Sequence, residues 1–257
     1  MTIIDLNCDM GESFGAYTSG MDDQVMQHIT SANIACGFHA GDPMVMHKTV
    51  KLAVENHVGI GAHPGYPDLL GFGRRNMACT PNEIRQYIIY QIGALNAFCK
   101  VHNTRMTHVK PHGALYLAAV EEESTARAIA TGIMDLDPGL SFVALAGKKG
   151  ETMRRMGEEL GLKVVYEAFP DRAYTPDGTL VPRSQPNAVI LDPDKVARRA
   201  LDMAKGFVIA VDGTQIQLEA QTLCVHGDNP AAINLVKTIR QVLGKNNIDV
   251  KSMGESQ

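Results

Sequence analysis

The sequence predicts an α/β protein folded as a TIM-like β/α barrel, and three observations lead there. Short β-type runs alternate with longer helical patterns, the signature of repeated βα units around a parallel sheet. Polar residues recur on one parity in several of the strand segments. In Ile3-Ile4-Asp5-Leu6-Asn7-Cys8-Asp9, for example, Asp5, Asn7 and Asp9 share one face and Ile4, Leu6 and Cys8 the other. Finally, a length of 257 residues fits seven or eight such units in one domain spanning 1–257. Charge buried on the second face of an ordinary two-sided core would be prohibitively costly, so the recurring polar face belongs to a barrel mouth lined with acids, bases and possible metal ligands.

Strands are expected at 3–9, 32–37, 58–63, 106–111, 141–145, 163–168 and 222–226. Helices are expected near 22–30, 43–56, 80–103, 121–136, 148–161, 192–205 and 229–244. Asp42-Pro43 and Asp228-Asn229-Pro230 read as an N-cap followed by proline, and Thr80-Pro81-Asn82-Glu83 adds a glutamate at N3. Residues 64–79, glycine-rich with paired arginines, read as a long loop, and the prolines of 171–191 mark a turn-rich excursion. Phe207–Val211, the Asp212-Gly213 turn and Ile216–Leu218 resemble a small hairpin.

A net charge of −4 and the lack of a dense Lys/Arg run exclude the electrostatic footprint of a nucleic-acid binder. No apolar run approaches the roughly 20 residues that span a bilayer. The amino terminus enters a strand directly, so a soluble, cytoplasmic protein is expected. The five cysteines are odd in number and widely spaced, which predicts free thiols. Cys8, Cys36 and Cys224 are expected to be small buried hydrophobes.

Ionisable residues collect where predicted strands end, the position of functional groups in βα barrels. Asp9 and Glu12 follow the first strand, His39 and Asp42 the second, and His63 with Asp68, Arg74 and Arg75 the third. Lys110 and His112 end the fourth, Glu167 and Arg172 the sixth, His226 and Asp228 the last. Asp42 and Asp228 have a second reading as helix caps, and Asp5 as a structural buried acid. His28, His47, His57 and His102 fall on helices or at their ends and are expected to pack or face solvent.

Asp9, His39 and His63 are candidate ligands for a divalent cation through nitrogen and oxygen donors. A metal-free reading stands beside it, with the same groups contacting a carboxylate, a phosphate or an attacking water. Lys110, Arg74 and Arg172 suit an anionic substrate or a developing oxyanion or phosphoryl charge. Neither a P-loop nor a dinucleotide glycine motif is present.

The blocks DLNCDMGE, NIACGFHAGD, GAHPGYPD with GFGRR, KPHGALY, EAFPDRAY and VHGD, in this order, resemble the LamB/YcsF family over nearly the whole chain. That resemblance implies an irregular seven-stranded β/α barrel of the glycoside hydrolase/deacetylase type. Characterised members are the A subunit of prokaryotic ATP-dependent 5-oxoprolinase. With partner subunits B and C they open 5-oxo-L-proline to L-glutamate, consuming ATP (with Mg) as co-substrate. On this implication Asp9, His39, His63, Lys110 and Glu167 form the reacting centre. Asn7, Glu12, Arg74, His112, Arg172, His226 and Asp228 complete a substrate-binding wall. Alanine at His63 or Lys110 is expected to abolish turnover without unfolding the protein. The alternative reading is a stand-alone metal-dependent deacetylase or amidohydrolase acting on a sugar or small amide.

Overall fold

Residues 2–225 and 232–254 are described by the computed structural model of this chain. His226 and Asp228, both expected in the mouth, and the proline-marked helix start beside them lie outside the described residues.

The chain opens with β1 (Thr2–Met10), a short α1 (Asp22–Val25), β2 (Ser31–Ala35), α2 (Pro43–Glu55), β3 (Gly59–His63), α3 (Pro81–Val101) and β4 (Met106–Val109). It continues through α4 (Gly113–Glu121), α5 (Glu123–Leu136), β5 (Ser141–Leu145), α6 (Glu151–Glu159), β6 (Val164–Ala168) and α7 (Pro193–Ala204). A hairpin of β7 (Phe207–Ile209) and β8 (Gln215–Gln217) precedes β9 (Thr222–Val225), α8 (Ala232–Lys245) and β10 (Ile248–Val250).

Seven parallel strands run in the order β1-β2-β3-β4-β5-β6-β9, and β9 pairs back onto β1 to close the barrel. Closure sets Asp5 opposite Thr222 and Asn7 opposite both Cys224 and Ser31. The barrel is irregular: β6 meets β9 only through Glu167–Thr222 and Ala168–Leu223, and β10 adds outside to the first residues of β1. Ile4, Leu6, Cys8 and Met10 turn outward into the apolar layer beneath the helices, while Asp5, Asn7 and Asp9 turn inward. The parity read from the sequence is therefore the inside–outside alternation of a closed sheet. Among the described residues no helix is long and apolar enough to cross a membrane.

Helix starts follow the chemistry of their caps. Asp42 Oδ1 accepts from the backbone N–H of Met44 and Val45, so the capping reading of this residue holds. Thr80 and Glu83 form a reciprocal capping box at α3. Two elements escape the sequence pattern. Ala114, Leu115, Tyr116, Ala119 and Val120 of α4 are all buried, so this helix lacks the single apolar stripe that marks an amphipathic one. With three residues, β10 is too short to show alternation.

Candidate active site

The barrel interior is a hydrogen-bonded chain of polar side chains. Thr107 Oγ1 lies 2.9 Å from His108 Nδ1, and His108 Nε2 donates to Asn33 Oδ1 at 2.9 Å. Asn33 Nδ2 donates to Asn7 Oδ1 (2.7 Å) and Asp9 Oδ1 (2.8 Å). Asn7 Nδ2 donates to Glu167 Oε1 (3.1 Å) and Thr222 Oγ1 (2.6 Å), and Thr222 in turn donates to Asp5. Asp5 also accepts from Thr30, Ser31 and the Met253 N–H, which makes it the structural acid of one of the two sequence readings. Burial raises the Asp5 carboxyl to about 6 against the opposing pull of its hydroxyl donors.

Lys110 stands at the top of this chain. It is 3% exposed, with Nζ 2.8 Å from Asp9 Oδ1, 2.9 Å from Glu167 Oε1 and 3.0 Å from Cys224 Sγ. Burial alone lowers the pKa of an ammonium; here Asp9, Cys224 and Glu167 outweigh it and the net shift is well upward. Two expectations are refined as a result. Cys224 is buried in the core as expected, but its Sγ also meets the lysine in the polar interior, because its strand parity matches that of Thr222. Lys110→Ala would strand two carboxylates in the interior, at about 3–5 kcal/mol. Loss of turnover in that variant would mix chemistry with instability.

Beside the lysine lies a cluster of imidazoles. His63 Nε2 is 3.3 Å from Asp9 Oδ2 and 3.0 Å from His112 Nδ1. His39 and His112 stack with ring centroids 3.7 Å apart. Glu12 Oε1 reaches within 3.5 Å of His39 Nε2 and 3.6 Å of His112 Nδ1. Burial, reinforced by the neighbouring imidazoles, holds His39 well below the usual histidine range and His112 down at about 3. Both rings are therefore neutral, and their contacts with Glu12 are not ion pairs. Gly73, at φ +62°, lets the loop after β3 close over this cluster: a Cβ there would lie 2.7 Å from both His112 Cδ2 and His39 Cβ. Glu12, His39, His63 and His112 place one ligand atom each within 4.8 Å of one another, a group that could hold a metal ion. This differs from the expected trio, since Glu12 and His112 join His39 and His63 while Asp9 Oδ1 is engaged by Lys110 and Asn33.

The cluster opens onto a cavity of about 430 Å³ lined by Asp9, Glu12, His63, Lys110 and His112, with Arg74, Arg172 and Arg183 adding positive charge and Tyr116, Phe169 and Leu180 apolar surface. Small-molecule sites commonly combine apolar walls with a few convergent polar groups in this way. The expected residues do not all reach it. Asn7 and Glu167 are fully buried in the interior chain, and His39 lies behind the lining. The guanidinium of Arg172 lines the cavity but donates to Val181 O at 2.6 Å and Ala188 O at 3.3 Å, so it also pins the 171–191 excursion. Arg75 is drawn away to Asp68.

Several participants were not expected. Asn33 lies on the polar parity of β2, a signal that could have found it; His108 lies on the inward parity of β4 that it shares with Lys110, which placed it inside the barrel without marking a role. Tyr116, inside the KPHGALY block, lies beside Glu167, and burial together with that carboxylate raises its hydroxyl well above the usual range. Arg183 carries no local signal. Gln91 of α3 grips the backbone of Gly65 through both amide atoms at 2.9 Å, fixing the start of the loop after β3.

A family model described as LamB/YcsF family matches residues 4–257. The A subunit of 5-oxoprolinase from Pyrococcus abyssi (strain GE5 / Orsay) is 56% identical over 248 residues, covering 96% of each chain. The crystal structure of a lactam utilization protein from Thermus thermophilus is similar at a TM-score of 0.92 with 46% identity, covering 98% of this chain and 100% of that one. The catalytic domain of a peptidoglycan N-acetylglucosamine deacetylase from Eubacterium rectale ATCC 33656 matches at a TM-score of 0.51 with 12% identity, covering 100% and 90% of the two chains. That likeness shows a shared fold alone, the deacetylase-type barrel. The chain belongs to the LamB/YcsF family.

Proposed function

We propose that this chain is the A subunit of an ATP-dependent 5-oxoprolinase. With subunits B and C it opens 5-oxo-L-proline to L-glutamate, and ATP, carried with magnesium, is cleaved to ADP and phosphate. The reading is carried by 56% identity, over nearly the full length of both chains, to curated relatives that bear the name of the 5-oxoprolinase A subunit. The site suits the reaction. A five-membered lactam is an unreactive amide, and phosphorylation of its oxygen makes a better electrophile for water. Such chemistry needs a positioned carboxylate substrate, stabilised phosphoryl charge and an activated water.

On this reading Arg74, Arg172 and Arg183 attract the substrate carboxylate or the transferring phosphoryl group. Lys110 offers its ammonium to the developing negative charge, held in place by Asp9 and Glu167. Asp9 Oδ2 is the general base next to the cavity, and His63, with Nε2 3.3 Å away, stands beside it in the reacting centre. Asn7, Glu167 and the rest of the interior chain orient these groups from below, while His39, Glu12 and His112 make the adjoining wall. Residues 1–257 act as one cytoplasmic catalytic domain.

The test is release of glutamate and phosphate from 5-oxo-L-proline and ATP by purified B and C subunits, with and without this chain. Release that requires this chain supports the reading. Equal release without it, or ATP-independent deacetylation by this chain alone, contradicts it.

A further inference from the structure

Backbone carbonyls fix where the protons sit on two of the mouth histidines. A carbonyl only accepts, so the 2.7 Å contact of His63 Nδ1 with Lys110 O puts a proton on Nδ1. The 2.8 Å contact of His112 Nε2 with Phe72 O likewise puts a proton on that Nε2. A ring with that single proton carries a lone pair on its other nitrogen. These two nitrogens, His63 Nε2 and His112 Nδ1, face each other at 3.0 Å. Such a pair repels unless an electron-pair acceptor lies between or beside its members.

His39 supplies a second, independent observation. It is fully buried, and neither of its ring nitrogens has a hydrogen-bond partner among the described residues. An unsatisfied buried polar group costs about 1–3 kcal/mol, so an imidazole placed this way points to something it binds. A proton shared by His63 and His112 would settle that pair and leave His39 unanswered; a metal ion gives one nitrogen of each of the three rings a partner.

The spacing agrees. Ligands at about 2.0–2.2 Å around a tetrahedral ion lie about 3.3–3.6 Å from one another. The separations here are 3.0 Å between His63 and His112, 3.5 Å between His39 and Glu12, and 3.6 Å between His112 and Glu12. Metal-bound histidines characteristically donate their second N–H to a carbonyl or carboxylate, as His63 and His112 both do.

We propose that Glu12, His39, His63 and His112 bind one divalent transition-metal ion. Three imidazole nitrogens and one carboxylate oxygen favour zinc-like ions over magnesium or calcium, which prefer oxygen shells. The site is therefore distinct from the magnesium that accompanies ATP. Because Glu12, His63 and His112 line the cavity, a small ligand can reach the ion on that side as a fifth ligand, where the ion would polarise a carbonyl or acidify a water. That use rests on the reaction proposed above; the binding does not.

The experiment uses the full-length chain alone, without partners, ATP or 5-oxo-L-proline, so its outcome is separate from the fate of the 5-oxoprolinase reading. Chelator-stripped protein is titrated with Co²⁺ and followed by visible absorption, and then with Zn²⁺ in competition. One equivalent is expected to bind, with the absorption of a nitrogen-rich site, and His39→Ala is expected to weaken binding at least tenfold. Glu12→Gln, which keeps the size of the side chain and so is less able to disturb folding, serves as the second variant and is expected to shift the Co²⁺ spectrum and weaken binding. Failure of the stripped wild-type chain to take up either ion, or binding and spectra unchanged in both folded variants, would overturn the proposal.

Discussion

His108 illustrates how single side chains are tuned inside this barrel. Burial, helped by Lys110 and His63, pushes its imidazole down to about 3, while a histidine in an unfolded chain titrates near 6.5. Between those values the unfolded chain holds a proton that the folded chain refuses. Lowering the pH through this window costs up to about 1.4 kcal/mol per pH unit, and nothing is lost above it. Asp5 works in the opposite direction. Its carboxyl, raised to about 6, takes up a proton more readily in the folded state, which offsets part of the loss between about 6 and 3.8. His108→Gln keeps a donor for Asn33 and removes the titrating ring. Its thermal midpoint is expected to fall less than that of the wild type between pH 7 and pH 5. Equal slopes in the two proteins would contradict a neutral, buried His108. The sequence disclosed which residues of β1, β4 and β9 face inward, because strand parity is local. It did not disclose that Lys110 is held between Asp9 and Glu167, since those partners meet only when the barrel closes.

At the scale of elements, β3 and β4 pack so closely that one hydrogen atom of a glycine is all the space allows. A Cβ on Gly61 would lie 2.0 Å from His108 Nε2, and both nitrogens of that ring are already engaged. Gly61→Ala is therefore expected to destabilise the protein by about 1–3 kcal/mol or more, read by chemical denaturation. Unchanged stability would mean that His108 does not lie across this strand. Element boundaries were legible where chemistry marks them, as at the proline and capping box of α3 or the turn between β7 and β8. The helix α4 was not, since a segment buried nearly all round carries no amphipathic stripe. The excursion after β6 announced itself as turns, but its path depends on distant clamps. Arg199 of α7 holds the carbonyls of Pro170, Arg172 and Ile209, and only such tertiary contacts bring Arg183 to the cavity.

For the molecule as a whole, the polar interior and the mouth form one structure. A hydrogen-bonded chain runs from Thr107 through His108, Asn33 and Asn7 to Thr222 and Asp5, and its branches to Asp9 and Glu167 set the lysine at the cavity floor. Order along the sequence foretold a barrel with chemistry at one end; the division between residues that touch the cavity and residues that support them came only from the fold. The central claim is that the reaction takes place at this mouth. His63 tests it more cleanly than Lys110, because its removal leaves no buried pair of carboxylates without a counter-charge. The most direct measurement is glutamate formation from 5-oxo-L-proline and ATP by B and C subunits combined with folded His63→Ala chain, compared with wild type. A fall of about a hundredfold or more is expected, the scale of a lost catalytic group. Turnover within a fewfold of wild type would place the reaction elsewhere.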